Sequence, residues 1–324
     1  TERSVRRILR LTENDPDATV REAGRRCASR LIDGSLSAGD PIAFVDDFVE
    51  GDALSRSCDR AMDLLQQGKN DEAIDVLTDM LAPIDAIDTY RDSGDDTWRQ
   101  FMSYVSRALY NRLLAKPAEH THLVPDAYYG AQLLMASALI AQGRASEALG
   151  FARRAQDLDP LDMAGMLRIV RCHELAGDLD AAASELRRWL DVAFDPQGIG
   201  VGYYRLAFIE WKRGSVGVAD ACYQKAAVSR ASCAGAAALE LHTMRALSGS
   251  GTIEPTHVDE TLEGAGVPLA PTERVISVLV EAAQASTDAE VFPVARSFAT
   301  LLGALTGDDV MNGVVESIEH EPDR

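Results

Sequence analysis

The chain has 324 residues, 46% of them hydrophobic, and a formal net charge of −19 at pH 7. A surface this acidic repels nucleic acid and anionic lipid, which disfavours non-specific binding to either. No apolar run approaches the roughly 18 residues that a membrane-spanning helix needs, so the chain is predicted to cross no membrane.

Residues 1–51 are predicted to form short N-terminal helices, because their apolar residues recur with helical spacing. The first helix carries Val5 and Ile8 on one face. The second begins near Asp17 and ends at Gly34, and a third begins after Pro41.

The first 30 residues are basic although the chain as a whole is acidic. They hold eight arginines and five acidic residues. This asymmetry leaves two interpretations open. Either the segment lies against acidic neighbours in the same chain, or it is a contact site for an acidic partner.

From residue 52 onward, one pair of small residues recurs. Each pair is a glycine followed five residues later by an alanine. The pairs are Gly68 with Ala73, Gly143 with Ala148, Gly177 with Ala182, and Gly214 with Ala219. The last three glycines are separated by 34 and 37 residues. A period of this length indicates an array of helical repeats.

The residues around each glycine predict a helix, a tight turn and a second antiparallel helix. Seven residues before the glycine stand Ala61, Ala136, Val170 and Ala207. Glycine suits the end of the first helix because it adopts the left-handed backbone conformation at little cost. The small residues on either side of the turn would let the two helices approach closely.

This pattern resembles the tetratricopeptide repeat family, whose unit is a 34-residue helix-turn-helix. The best-matching unit contains Tyr203, Leu206, Ala207, Gly214, Ala219, Tyr223 and Ala226. The resemblance implies an all-α fold, a right-handed superhelix (α-solenoid) with a concave groove. The predicted repeats span 52–85, 86–125 (degenerate), 126–160, 161–197 and 198–232. N-terminal helices in 1–51 and capping helices in 233–324 flank this repeat region of residues 52–232.

The degenerate repeat is predicted to contain one long helix, from about Thr97 to Leu114, followed by a loop from Lys116 to Pro125. No strand is expected anywhere in the chain. Beyond the repeats, helices are predicted at 234–247, 272–285 and 289–305, the last two as a helical hairpin.

In repeats of this family the first helix of each unit lines the groove, so the resemblance assigns partner-binding residues. These are Leu133, Leu167, Arg171, Tyr204, Phe208 and Trp211. Aromatic residues and arginine are the commonest anchors of interfaces. The groove would then bind an amphipathic helix or an extended apolar peptide. The alternative is that another part of the chain, such as the hairpin at 272–305, covers the three aromatic rings.

The sequence predicts no catalytic, cofactor or metal site. The run from Gly198 to Gly202 lacks the spacing of a phosphate-binding motif and is predicted to be a flexible entry to a helix that starts near Val201. His120 and His122 lack a defined third ligand for a metal. No nucleophile and base can be paired. An enzyme would have to place its site in the loops at 116–126 or 197–202.

The five cysteines form no CxxC pair, which favours buried, reduced thiols in a cytoplasmic protein. The predicted function is a scaffold or adaptor for a protein or peptide partner, without an enzyme activity. The alternative is a regulatory repeat module of a larger transcriptional regulator or enzyme, suggested by the arginine-rich first 30 residues. The partner's identity and the oligomeric state do not follow from the sequence.

Overall fold

The computed structural model describes residues 2–15, 18–36, 53–249 and 251–307. This part of the chain is all-helical apart from two short strands, with 15 α-helices. The third predicted N-terminal helix, after Pro41, lies outside the described residues. The chain divides into two compact units, one of Thr1–Tyr90 with Pro125–Gln142 and one of Arg91–Val124 with Gly143–Arg324.

The described residues of the first unit form five helices, each of which packs on at least one other. They are α1 (Glu2–Thr12), α2 (Ala18–Asp33), α3 (Ala53–Gln66), α4 (Asn70–Ala86) and α6 (Asp126–Ala141). Helix α1 packs on α2, and α3, α4 and α6 pack on one another. The Tyr128 hydroxyl of α6 donates a 3.0 Å hydrogen bond to Asp85 of α4, which ties these two helices together.

The second unit begins with β1 (Asp96–Arg99), α5 (Tyr104–Leu113) and β2 (His120–Leu123). Six helices follow in which each packs on the next. They are α7 (Ala145–Leu158), α8 (Met163–Ala176), α9 (Leu179–Leu190), α10 (Pro196–Lys212), α11 (Val216–Ala227) and α12 (Ala234–Ser248). The unit ends with a short 3₁₀ turn (Pro255–His257), α13 (Val258–Gly264), α14 (Glu273–Asp288) and α15 (Phe292–Thr306).

The four repeat glycines occupy the backbone conformation that their spacing predicts. Gly68, Gly143, Gly177 and Gly214 have φ of 75°, 73°, 78° and 83°. A side chain there would meet nothing within 4 Å, so the backbone angle and not packing requires glycine. The paired alanines Ala73, Ala148, Ala182 and Ala219 are fully buried. The helix-turn-helix prediction is therefore confirmed at Gly68, Gly177 and Gly214, where the two flanking helices pack on each other. At Gly143 only the turn conformation is confirmed.

The prediction for the degenerate repeat is wrong in two places. Thr97 begins no helix but lies in β1, and the predicted loop after Lys116 contains β2. The two strands pair in parallel, with Asp96 opposite His120 and Trp98 opposite His122. Residues 96–99 are extended because they pair with β2. That strand lies more than 20 residues further along the chain, so the local apolar spacing does not reveal the pairing.

The helix of this region begins at Tyr104. Ser103 caps it, since the Ser103 hydroxyl accepts the Ser106 backbone N–H and the Ser106 hydroxyl accepts that of Ser103. This reciprocal arrangement is a capping box with serine in the position usually held by glutamate or glutamine. It sets the helix start seven residues later than the predicted Thr97.

The predicted C-terminal hairpin is confirmed as α14 and α15. Its buried side chains, Val275, Leu279, Phe298 and Leu302, form one cluster with α5 and with Leu161 and Val192. A larger cluster fills the space among α8 to α13, with Tyr203, Tyr223 and Ile209 among its fully buried members. No helix in the described part of the chain is long and apolar enough to cross a membrane.

Candidate interaction surface

Helices α8 and α10, the first helices of two successive repeats, are linked by a direct ion pair. Arg205 Nη2 of α10 donates hydrogen bonds to both carboxylate oxygens of Glu174 on α8, at 2.6 and 2.7 Å. The Glu174 side chain is 6% exposed and also lies 3.4 Å from Arg171. The pair links the C-terminal turn of α8 to the middle of α10.

An aromatic row runs along α10. Tyr204, Phe208 and Trp211 are spaced four and three residues apart, which places them on one helix face. All three are half-buried and pack at the edge of the large cluster, together with Leu167 of α8. All four therefore lie at the border of one cluster.

Two cations border the Phe208 ring. The Lys212 Nζ lies 5.0 Å from the ring centroid, and the Arg205 guanidinium carbon lies 5.5 Å from it. Both distances fall within the range of a cation–π interaction. Arg171, whose side chain is 53% exposed, adds a third positive charge on α8. The surface thus combines aromatic rings with a rim of positive charge.

Glu240 of α12 completes this surface and is missing from the sequence prediction. Its carboxylate accepts hydrogen bonds from the Tyr204 hydroxyl at 2.5 Å and from the Tyr223 hydroxyl at 2.7 Å. The hydrogen bond to Glu240, with burial, raises the pKa of Tyr204 to about 12. No signal could have found Glu240, because α12 lies outside the glycine–alanine pattern.

The sixth predicted residue, Leu133, is half-buried on α6 of the first unit. The other five belong to the second unit. Leu167, Arg171 and the aromatic row thus lie in one unit, and Leu133 is described separately.

The three aromatic rings are neither fully buried nor fully exposed. The alternative prediction is that another part of the chain, such as the hairpin, covers them. The large buried side chains of α14 and α15 pack against α5, Leu161 and Val192. The Tyr204 hydroxyl is instead bonded by Glu240 of α12. Leu305 of α15 nevertheless packs on the same large cluster as the three rings. Within the described part of the chain, the rings are half-buried.

Two buried acids hold neighbouring helices of this unit together. Glu210 is fully buried and accepts hydrogen bonds from Arg187 at 2.6 Å and from Arg213 at 2.7 Å. Asp220 is also fully buried and is bonded by Arg245 at 2.6 and 2.8 Å. A buried carboxylate is tolerated when cations and hydrogen bonds compensate its charge in this way. These pairs fix the framework on which the aromatic row stands.

The glycine run at 198–202 is a packing feature, which corrects the prediction of a flexible entry. Helix α10 begins at Pro196, and Gly198, Gly200 and Gly202 are buried inside it. A Cβ on Gly200 would lie 2.4 Å from the Ala231 Cβ. The glycines are therefore required because other side chains approach the helix closely.

The two histidines of β2 contact an aspartate across the strand pair. His122 Nε2 lies 2.8 Å from Asp96 Oδ1, and the His120 ring nitrogen lies 3.9 Å from the same oxygen. The His122 ring also stacks against Trp98, with centroids 5.0 Å apart. Among the residues that the structure describes, no group of three or more metal-ligating side chains could hold an ion.

A polar cavity of about 430 Å³ lies beside the strand pair, where the loop at 116–126 would have had to hold an enzyme site. Arg99 Nε donates a 2.7 Å hydrogen bond to the Tyr110 hydroxyl, and that hydroxyl donates to Glu119. Thr97 donates to the same Glu119 oxygen at 2.8 Å.

The pKa values of the two acidic groups in this hydrogen-bond network, Tyr110 and Glu119, are shifted in opposite directions. Burial raises the pKa of Tyr110 to about 12, and its hydrogen bond to Glu119 acts in the same direction. The Glu119 pKa is lowered by its hydrogen bonds from Tyr110 and Thr97, although burial opposes this.

No protein-family model and no curated protein matches this sequence. The resemblance to tetratricopeptide repeats therefore rests on the residues themselves.

Proposed function

We propose that this protein is a helical-repeat scaffold that binds a peptide or helix of a protein partner on the α8–α10 surface. The contact residues are Leu167, Arg171, Tyr204, Phe208 and Trp211, with Leu133 on the first unit as a further candidate. We also propose that its repeats belong to the tetratricopeptide class and form a right-handed superhelix. The three packed helix-turn-helix pairs and the four turn glycines at positive φ support this assignment.

The half-buried aromatic row is the observation that carries the proposal. Three large rings on one face of α10 leave part of their surface exposed, although the same helix has buried residues on its other side. Rings that are packed on one side and open on the other are held rigidly, so a partner binds them at a low entropic cost. Aromatic anchors bordered by arginine are also typical of the energetic centres of interfaces.

The test is affinity capture with quantitative mass spectrometry, comparing the wild type with a double variant, Phe208→Ala with Trp211→Ala. Tyr204 is left intact because its hydroxyl is bonded to Glu240. The matched control is Leu239→Ala with Leu247→Ala, which removes two side chains that are 68% and 72% exposed on α12.

We expect partners to be lost from the α10 variant and retained by the α12 variant, while circular dichroism shows the same helix content in both. Identical sets of captured proteins from all three would contradict the proposed surface.

We further propose a cytoplasmic location. No two of the five cysteines form a disulfide, and Cys27, Cys58, Cys172 and Cys222 are buried. Buried cysteines outside disulfides are typical of proteins from reducing compartments. Fluorescence microscopy of a tagged protein tests the location directly, and a signal outside the cytoplasm would contradict it.

A further inference from the structure

Helix α1 presents an exposed face made of arginine. Arg3, Arg6, Arg7 and Arg10 follow the spacing of one helix face, and all four are exposed. Arg6 pairs with Glu2 of the same helix. Among the described residues, Arg3, Arg7 and Arg10 have no ion-pair partner. In the described part of the chain, acidic side chains therefore neutralise Arg6 and leave the charges of Arg3, Arg7 and Arg10 uncompensated.

The opposite face of α1 is already occupied. Val5 and Ile8 pack on the cluster formed by Cys27, Leu31 and Leu36. Insertion of α1 into a lipid surface would require this apolar face, which is not available. The arginine face can therefore act only through charge and hydrogen bonding.

We propose that the arginine face of α1 binds an acidic helix of a partner protein. This inference concerns a different surface from the one in the proposed function and does not depend on it. The four arginines span about 10 Å along the helix axis, since each residue advances about 1.5 Å. Carboxylates spaced by three, four and seven residues on a second helix would match this length, and guanidinium groups pair with carboxylates through two parallel hydrogen bonds.

Charge favours an acidic helix over nucleic acid. The chain carries a net charge of −19, so a long polyanion would be repelled wherever it extended beyond α1. Duplex DNA carries about one charge per 1.7 Å along its whole length. An acidic helix of a few turns concentrates its charge where the arginines are and need not meet the remaining surface.

The experiment measures binding to the intact chain by fluorescence anisotropy, at low and at physiological ionic strength. The probe is a labelled helical peptide with four glutamates on one face in an alanine and glutamine background. An isomer has the same composition with the glutamates distributed around the helix, and a short duplex DNA is the third probe. The variant is Arg7→Gln with Arg10→Gln, and the control Arg107→Gln with Arg230→Gln changes the net charge equally at exposed positions.

We expect the one-face peptide to bind, and the α1 variant to weaken it about tenfold, equivalent to losing roughly 1.4 kcal/mol. The control should change the affinity by less than about twofold. Equal weakening in both variants would overturn the proposal, because net charge alone would then explain binding. The proposal would also be overturned if the isomer bound as tightly as the one-face peptide, or if the one-face peptide did not bind at all. A third contradicting result would be that DNA binds more tightly than the peptide and that the α1 variant loses this binding.

Discussion

Glu174 and Arg205 form an ion pair between the first helices of two successive repeats, with both carboxylate oxygens bonded to one guanidinium nitrogen. The same guanidinium lies over the edge of the proposed surface, 5.5 Å from the Phe208 ring centroid. One side chain therefore links the packing of the repeats to the geometry of the aromatic row.

The first prediction follows from this pair. Glu174→Gln leaves the guanidinium of Arg205 without its anion, and we expect a loss of about 1–2 kcal/mol in the free energy of unfolding, since Arg205 keeps 29% exposure. Urea denaturation measures this loss. The control is Glu147→Gln, which breaks the exposed pair with Arg144 and should leave the free energy of unfolding close to that of the wild type. Equal losses would show that the pair contributes no more than a surface contact.

A second prediction concerns the turn glycines. Gly177→Ala forces a Cβ into the left-handed conformation, and we expect about 1–2 kcal/mol of destabilisation. Gly150→Ala is the matched control, because Gly150 lies inside α7 with open space around it. There alanine should stabilise by roughly 0.5–1 kcal/mol, so the two substitutions should shift thermal unfolding in opposite directions.

The third prediction tests whether the glycine run serves packing. Gly200→Ala places a Cβ against Ala231, and we expect about 1–3 kcal/mol of destabilisation from the resulting overlap. Adding Ala231→Gly should recover part of that loss, which chemical denaturation of the single and double variants would reveal. A stability unaffected by Gly200→Ala would restore the interpretation of a flexible entry.

How far the fold follows from the sequence can be judged from the repeats. The glycine–alanine spacing predicts the helix pairs because it depends on two local needs, a left-handed turn and a close crossing of neighbouring helices. The strands at 96–99 and 120–123 escape such reasoning, because each is extended only in the presence of the other. The apolar residues from Trp98 to Leu113 imitate a helical stripe. Ser103 was the local signal that could have corrected the helix start.

For the proposed surface, too, local sequence spacing reveals only part of the structure. Leu167, Tyr204, Phe208 and Trp211 could be predicted, because their position relative to the turn glycine fixes the helix face on which they lie. The fixed orientation of Tyr204 could not, because it depends on Glu240, from a helix that no longer carries the repeat pattern. Sequence spacing indicates which residues share a helix face, but it does not indicate which of them are hydrogen-bonded to a carboxylate on another helix.

The fourth prediction concerns pH. Burial, with the nearby charge of Asp162, raises the pKa of Asp159 to about 7 from an unfolded value near 3.8. The folded state therefore binds more protons than the unfolded state between these two values, and the contribution of Asp159 to stability falls as pH rises from about 4 to about 7. The total loss is at most roughly 4 kcal/mol, since one pKa unit corresponds to about 1.4 kcal/mol.

Asp159→Asn should remove this dependence, because an amide oxygen can still accept the backbone N–H groups of Leu161 and Asp162 without ever carrying charge. Urea denaturation gives the free energy of unfolding at pH 5 and at pH 8, and the difference between these two values measures the effect. Asp75→Asn, at an exposed position on α4, supplies the same change in net charge. A pH dependence that is the same in both variants would rule out Asp159 as its source.

The interleaved order of the two units has a consequence for biosynthesis. The chain enters the second unit at Arg91, returns to the first at Pro125 and re-enters the second at Gly143. Helix α5 is therefore translated long before α14 and α15, whose side chains cover its apolar face. At about 5–20 residues per second, α5 waits roughly 10–40 s on the ribosome for them. Its apolar face thus stays without the cover of α14 and α15 during this interval.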